Sequence, residues 1–178
     1  MRISVWIALL ALVATTSCAI NDRESGDGVV EVYSTRSEKI MSPLVEEFEK
    51  QTGIKVHMRY GATPDLKDID VFVADDSGQL VRVRDELAEL PDPIWRKVPS
   101  QYRDPAKRWA GISAREDGSL TAVGILTHAD GDKDARHFTG NLFSKEGQAR
   151  FDEVGEKPLV ADAAEVVEAD KADPNHQS

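Results

Sequence analysis

The sequence has a single cysteine and fewer basic than acidic residues, and both shortages narrow the classes of protein that it can represent. One cysteine cannot form an intramolecular disulfide or supply a thiolate metal cage, which excludes the disulfide-stabilised small secreted domains. The 22 Lys and Arg residues stand against 32 Asp and Glu residues, a formal net charge of −10. Because this charge repels phosphate backbones, we expect no nucleic-acid partner.

The sequence also lacks the short motifs of common enzyme classes. It contains no G-x-S-x-G elbow, no phosphate-binding Gly-Lys-Ser/Thr loop and no cysteine–histidine pair. Its four histidines have no metal-binding spacing. Asp75 and Asp76 are adjacent, so in a strand their side chains point to opposite faces and make a poor shared acid–base site. We therefore expect no enzyme, no catalytic or metal-ligating residues and no resident cofactor.

Residues 1–17 have the order of a secretory signal. A positive charge at Arg2 precedes an apolar run from Ile3 to Ala14, which is too short to span a bilayer permanently, and small or polar residues follow. The lone Cys18 lies where the small residues end, which resembles the bacterial lipobox. We predict a signal peptide over residues 1–17 and lipidation of Cys18, and the alternative is a free signal peptide with an incidental cysteine.

The rest of the chain divides into a tether, one domain and a tail. Residues 18–28 are mostly polar and predict a tether between membrane and fold. Residues 29–160 have the length of one domain. The acidic residues 161–178 predict a frayed or disordered tail.

The first half of the domain shows the alternation typical of an α/β fold. Its patterns predict a strand, a helix, two strands and a second helix, over residues 29–34, 40–51, 54–60, 69–74 and 78–90. This order predicts a mostly parallel sheet with helices on both faces. Ligand loops in such sheets follow the carboxyl ends of the strands.

The second half of the domain predicts a hairpin and then two helices. Residues 109–115 and 119–127 are strand-like, and Asp117-Gly118 lies between them, which is a strong hairpin pattern. Helical patterns follow over residues 132–142 and 144–154, and Ser144 is the expected N-cap of the second.

Several short motifs occur in order along residues 29–160. They are Val32-Tyr33-Ser34-x-Arg36, Thr52-Gly53-Ile54-x-Val56, Asp76-x-Gly78-x-Leu80, Tyr102-Arg103-Asp104-Pro105 leading to Trp109-x-Gly111, and Ser144-Lys145-Glu146-Gly147-Gln148. In this order they resemble the ferric-iron type of solute-binding protein from bacterial ABC importers, which has the type 2 periplasmic-binding fold. The resemblance implies a two-lobed receptor that closes around its ligand.

One departure from this resemblance concerns the second lobe. In the family that lobe is inserted between the strands that correspond to residues 109–115 and 120–126, where this chain has only Glu116 to Ser119. The resemblance thus implies a single lobe, with a hairpin where the second lobe would be inserted. The paired tyrosines that hold ferric ion in the family come from that lobe, and no adjacent tyrosine pair occurs here.

The resemblance also indicates ligand-binding residues, which are Tyr33, Ser34, Arg36, Asp76 and Arg115. Arginine donors suit carbonate or a carboxylate held by two hydrogen bonds. The structural alternative is a tyrosine packed at a strand end and a solvated arginine.

Two functions remain open for such a chain. The first is the solute-binding component of an iron(III)-type ABC importer, reduced to one lobe, with ferric iron or an iron–anion complex as a weak ligand. The second is a ligand-free envelope lipoprotein that acts as a protein-interaction module. Both predict export to the bacterial cell envelope, on its periplasmic or extracellular face. The expected partners are an ABC permease or another envelope protein, and the membrane through the lipid anchor.

Overall fold

The computed structural model describes residues 28–62 and 65–160, which form one mixed sheet with helices on both faces. The predicted signal peptide, Cys18, nearly all of the tether and the tail lie outside the described residues. The strands are β1 Val29–Ser34, β2 Lys55–Tyr60, β3 Val71–Ala74, β4 Ala110–Ala114, β5 Leu120–Ile125 and β6 Lys157–Pro158. The helices are α1 Glu38–Thr52, α2 Ser77–Arg82, α3 Asp92–Trp95, α4 Lys133–Leu142 and α5 Lys145–Glu153.

The strands of the described residues follow the order β2-β1-β3-β5-β4-β6 across the sheet. β1 pairs in parallel with β2 and β3, whereas β5 is antiparallel to both β3 and β4, and β6 is antiparallel to β4. Four strands therefore run in one direction, as expected for a mostly parallel sheet, but three of the five neighbouring pairs are antiparallel. The reason is that the returning hairpin strand β5 lies between β3 and β4.

The larger hydrophobic core lies on the face of the sheet that α1, α4 and α5 cover. Val30 and Val32 of β1 point into it, because alternate residues of a strand share a face. Apolar residues at helical spacing on α1 pack against them: Met41, Leu44, Val45 and Phe48. The α1 helix ends at Thr52, one residue beyond the predicted range, and the following Gly53 has a φ of +76° and donates its N–H to Glu49 O.

The smaller core lies on the opposite face. Tyr33 and Phe72, the alternate residues of β1 and β3, meet there with their rings 6.0 Å apart and inclined by 72°. Leu80 of α2 covers them. The α/β fold with helices on both faces is thus confirmed.

The predicted hairpin is confirmed. β4 and β5 pair in antiparallel register, with Ser113 opposite Thr121. The N–H of Gly118 donates to Arg115 O at 3.0 Å, and Gly118 has a φ of +82°, a conformation that favours glycine. The link between the two strands is therefore a tight turn.

The predicted helix over residues 78–90 is wrong in length, because α2 ends at Arg82. A short 3-10 turn follows, and the chain then becomes extended. Leu87 forms a bridge with Leu126, and Ala88 donates its N–H to Ile125 O at 2.8 Å. Leu87 is fully buried in the smaller core, so burial and pairing beside β5 outweigh the helical spacing. Within residues 28–62 and 65–160, no helix is long and apolar enough to cross a membrane.

Candidate functional site

The candidate site lies at one edge of the sheet. β1, β3 and β4 run in the same direction, so their carboxyl ends share this edge. Thr35 and Arg36 follow β1, Asp75 follows β3, and Arg115 follows β4. We call this set of strand ends the carboxyl edge. Such edges hold the ligand in open α/β sheets.

A hydrogen-bonded cluster joins the ends of β1 and β3. The Thr35 hydroxyl donates to Asp75 Oδ1 at 2.9 Å and accepts from the Asp75 N–H at 2.8 Å. Gln79 of α2 donates its side-chain amide to Asp75 Oδ1 at 3.0 Å. These bonds fix the position of the Asp75 carboxylate. Part of its side chain remains exposed.

Arg36 is buried and forms an ion pair with Glu156. Its Nη2 donates to Glu156 Oε1, and the two side chains are 8% and 6% exposed. Its backbone N–H donates to Ser34 Oγ at 3.0 Å. Arg36 Nε is buried and has no hydrogen-bond partner within the described part of the chain. The guanidinium is thus neither solvated nor fully paired.

The second oxygen of Glu156 accepts from two hydroxyl groups. Ser113 Oγ lies 2.5 Å and Thr121 Oγ1 lies 3.1 Å from Glu156 Oε2. Both hydroxyls are buried, and they come from facing residues of the hairpin. Both oxygens of a buried carboxylate are thus satisfied, as a buried charge requires.

The end of α5 determines where Glu156 lies. The N–H of Glu156 donates to Phe151 O at 3.0 Å, and the N–H of Gly155 donates to Asp152 O at 2.9 Å. Gly155 has a φ of +81°. This pair of bonds is a Schellman motif, which ends the helix at a glycine and turns the chain sharply. Glu156 is the first residue after that turn.

The charges around Arg36 have opposing effects on its guanidinium. Burial lowers the pKa of Arg36 below its ordinary value, Glu156 opposes this, and Arg115 adds to the lowering. Asp75 also acts on Arg36, in the raising direction. The carboxyl edge therefore brings together two cations and two carboxylates.

The five sequence-predicted site residues have different environments. Tyr33 is 6% exposed and its ring packs in the smaller core, while Ser34 is fully buried beneath Arg36. Asp76 is exposed and caps α2 by accepting from the Gly78 N–H at 2.8 Å. Arg115 lies in the hairpin turn, with Nε 3.6 Å from Asp117 Oδ1. Arg36 and Arg115 come together, whereas the Tyr33 ring points to the smaller core.

Sequence reasoning missed Asp75, Glu156, Thr35 and the two hydroxyls that bind Glu156, since it selected Asp76 in place of Asp75. Glu156 is 120 residues from Arg36, so no local pattern connects them. Gly155 directly follows the helical pattern over residues 144–154. A glycine in that position is typical of a helix end, and this signal could have placed Glu156 just beyond the helix. Nothing in the sequence indicated which strand end it would face.

A second polar region lies at the opposite edge of the sheet. A cavity of about 450 Å³ is lined there by Thr127, His128, Asp130 and Asp132. The neighbouring Asp70 accepts from the Glu31 N–H at 2.8 Å, and burial raises its pKa. Within residues 28–62 and 65–160, no three His, Cys, Asp or Glu side chains are placed to hold a metal ion.

Comparison with known proteins identifies what the chain resembles. It is 31% identical over 121 residues to the Fe(3+)-binding periplasmic protein of Serratia marcescens. The chain resembles ferric-binding periplasmic proteins. The match covers 61% of this chain and 36% of that relative, so the chain spans about a third of the relative's length. No protein-family model matches.

Solved ferric-binding proteins share the fold. Iron-bound HitA from Pseudomonas aeruginosa superposes with a TM-score of 0.64 at 12% identity, over 74% of this chain and 86% of that one. The apo ferric ion-binding protein A of Pasteurella haemolytica gives 0.65 at 14% identity, over 80% and 89%. A Bordetella ferric-binding protein gives 0.66 at 13% identity, over 78% and 90%. At these identities the likeness concerns the fold alone.

Proposed function

We propose that this chain is the solute-binding component of an iron(III)-type ABC importer, reduced to one lobe with a weak and open site. The observation that carries the proposal is the sequence match to an Fe(3+)-binding periplasmic protein. The position of Arg36, Asp75 and Arg115 at the carboxyl edge supports this edge as the site. Its ligand is a ferric complex of a small anion, held partly through the anion.

The weakness of the site follows from the tight hairpin turn. A two-lobed receptor excludes water around its ligand, which strengthens each polar contact. In this chain the turn from Arg115 to Ser119 leaves no room for a lobe inserted between β4 and β5. A ferric complex on the carboxyl edge therefore stays half exposed.

The phenol groups near the edge are poor ferric ligands. Tyr33 packs in the smaller core, and Tyr60, at the end of β2, is 36% exposed. Burial raises the pKa of Tyr60 above its ordinary value, although a hydrogen bond with Ser42 opposes this. Since ferric ion binds the phenolate form, a raised pKa weakens such a contact at neutral pH.

The test is a calorimetric titration of the purified, monomeric domain with ferric citrate, ferric carbonate and the anions alone. We expect a dissociation constant no tighter than about 1 μM, about −8 kcal/mol. Nanomolar binding by a confirmed monomer, with a tyrosinate-to-iron absorbance band, would refute the single-lobe account. Tight binding by a dimer alone would mean that two chains rebuild a closed cleft.

We also propose an envelope location with a lipid anchor at Cys18 and an ABC permease as partner. The order of charge, apolar run and small residues before Cys18 supports the anchor. The anchor would hold an acidic domain next to the membrane in which a permease lies.

The second candidate function is a ligand-free interaction module of the envelope. It is favoured by one observation, that Glu156 already occupies the Arg36 guanidinium. In this case the titrations above give no heat with any ferric complex or anion, and the chain still associates with an envelope protein.

A further inference from the structure

The buried side chains around Glu156 have the chemistry of a carboxylate-binding pocket. A cation, Arg36, contacts one carboxylate oxygen, and the hydroxyls of Ser113 and Thr121 contact the other. All three donors come from the β1 end and the hairpin, and none comes from the segment that carries Glu156. The pocket is therefore built independently of the carboxylate that fills it.

The pocket is not saturated by Glu156. Arg36 Nε remains buried and without a hydrogen-bond partner in the described ranges. A guanidinium binds a carboxylate best through two parallel N–H donors, and here Nη2 alone contacts Glu156. A free carboxylate could accept from two N–H donors of Arg36, an arrangement that Glu156, which is attached to the chain, does not adopt.

Glu156 lies at the start of a short segment at the edge of the sheet, which buries the side chain of Leu159. The strand that follows it, β6, has two residues and pairs with β4 alone. The next residues are held by three further bonds, from the Leu159 N–H to Ile112 O at 3.2 Å and from the Leu159 and Val160 N–H groups to Gln148 Oε1 at 3.1 and 3.2 Å. The Gly155 turn, in which glycine carries the positive φ, joins this segment to α5.

We propose that Arg36, Ser113 and Thr121 form a small-carboxylate pocket that the chain fills with its own Glu156, an internal competitor for the ligand anion. The identity of the physiological ligand rests on the proposed function, in which the anion is the one that accompanies ferric iron. The occupied pocket makes the free chain a poor anion binder. A carboxylate binds Arg36 only when the segment after Gly155 moves away.

The covalent attachment of Glu156 to the chain explains why an external anion competes poorly for Arg36. A carboxylate on the same chain acts at a high effective concentration, so millimolar acetate does not displace it from the wild-type pocket. Removal of the Glu156 side chain beyond Cβ leaves the three donors in place and opens the pocket. The variant Glu156→Ala should therefore bind the anion that the wild type excludes.

The experiment measures the melting temperature of each variant against sodium acetate and sodium formate, with sodium chloride at equal ionic strength as reference. The melting temperature of Glu156→Ala should rise with acetate, with a half-effect at about millimolar concentration. The wild type should need an acetate concentration at least about tenfold higher for the same effect. The matched control is Glu153→Ala, which removes an exposed glutamate of α5 and should respond like the wild type.

Two further variants locate the anion. The double variant Arg36→Met with Glu156→Ala should lose the acetate response. Glu156→Gln should be destabilised like Glu156→Ala, because it too lacks the counter-charge of Arg36, but it should show no acetate response, because its amide fills the pocket. A response in either variant equal to that of Glu156→Ala would place the acetate elsewhere and overturn the proposal.

The remaining outcomes also decide the question. If Glu156→Ala is unfolded in chloride, the readout is refolding in acetate or formate, and recovery supports the pocket while no recovery overturns it. A wild-type response as strong as that of Glu156→Ala would show that Glu156 does not compete. Because acetate contains no iron, a positive acetate response of Glu156→Ala with no ferric binding by either Glu156→Ala or the wild type refutes the importer function and leaves the pocket intact.

Discussion

Arg36 and Glu156 form a buried ion pair across 120 residues of sequence. The pair ties the end of β1 to the segment that follows α5. The pair matters for stability, because each buried charge is compensated only when its partner is present.

The first prediction concerns stability. Glu156→Ala should lower the free energy of unfolding by about 3–5 kcal/mol, because it leaves a buried guanidinium without a counter-charge. The double variant Arg36→Met with Glu156→Leu should recover most of this loss, since apolar side chains of similar volume remove both charges. Urea unfolding of both, beside Glu153→Ala, measures the difference. A double variant as unstable as the single one would contradict the compensation argument.

The hairpin turn gives a second prediction. Gly118→Val should destabilise the fold by about 1 kcal/mol or more, because Gly118 has a φ of +82° that a β-branched residue rarely adopts. Glu116→Val is the control, since it places the same side chain two residues away in the same exposed turn without a positive φ. Equal unfolding free energies for the two variants would argue against the turn.

The third prediction concerns pH and Asp70. Burial raises the pKa of Asp70 in the folded state above its ordinary value of 3.8, so ionisation favours the unfolded state as the pH rises past 3.8. Asp70→Asn should therefore raise the melting temperature at pH 7, because the amide oxygen still accepts from the Glu31 N–H without a charge. The gain should disappear below pH 3.8, where aspartate is protonated in both states.

The control for this prediction is Asp152→Asn, which removes a charge from an exposed side chain on a residue whose φ is not positive. It should give no comparable gain at pH 7. A melting temperature of Asp70→Asn that falls at pH 7 would show that the charge of Asp70 stabilises the fold.

The fourth prediction is that Cys18 carries the lipid anchor. Mass spectrometry of the membrane-extracted protein should show a chain that begins at Cys18 with a diacyl or triacyl addition. Cys18→Ser should release the protein from the membrane fraction, because an acyl chain supplies the anchor. A soluble, unmodified chain that begins at residue 19 or later would contradict this prediction.

Much of the fold could be predicted because its elements carry local patterns. The β-branched run of β1, the spacing of α1 before Gly53 and the Asp117-Gly118 turn each specify a local structure. Ser144 is the N-cap of α5 as predicted, since its hydroxyl accepts from the Gly147 N–H at 3.0 Å. The length of α2 could not be predicted, because the pairing of Leu87 with Leu126 is a contact between distant residues.

The candidate site was predictable only in part, for the same reason. The carboxyl ends of parallel strands share an edge, which is why Arg36 and the residues after β3 could be expected together, although the residue selected there was Asp76 and not Asp75. Glu156 comes from a helix end, and its position depends on the φ of Gly155 and on the order of strands across the sheet. Long-range ion pairs of this kind leave no spacing in the sequence.

The central claim, that a ferric complex binds weakly at the carboxyl edge of the sheet, is tested most directly by paramagnetic broadening of amide resonances. Ferric citrate added to the labelled monomer should broaden the amide signals of residues 35–36, 75–76 and 115, while those of Asp70 and His128 at the opposite edge stay sharp. Citrate alone is the control, since it carries no paramagnetic ion. Broadening confined to the opposite edge, or none at millimolar ferric citrate, would contradict the account.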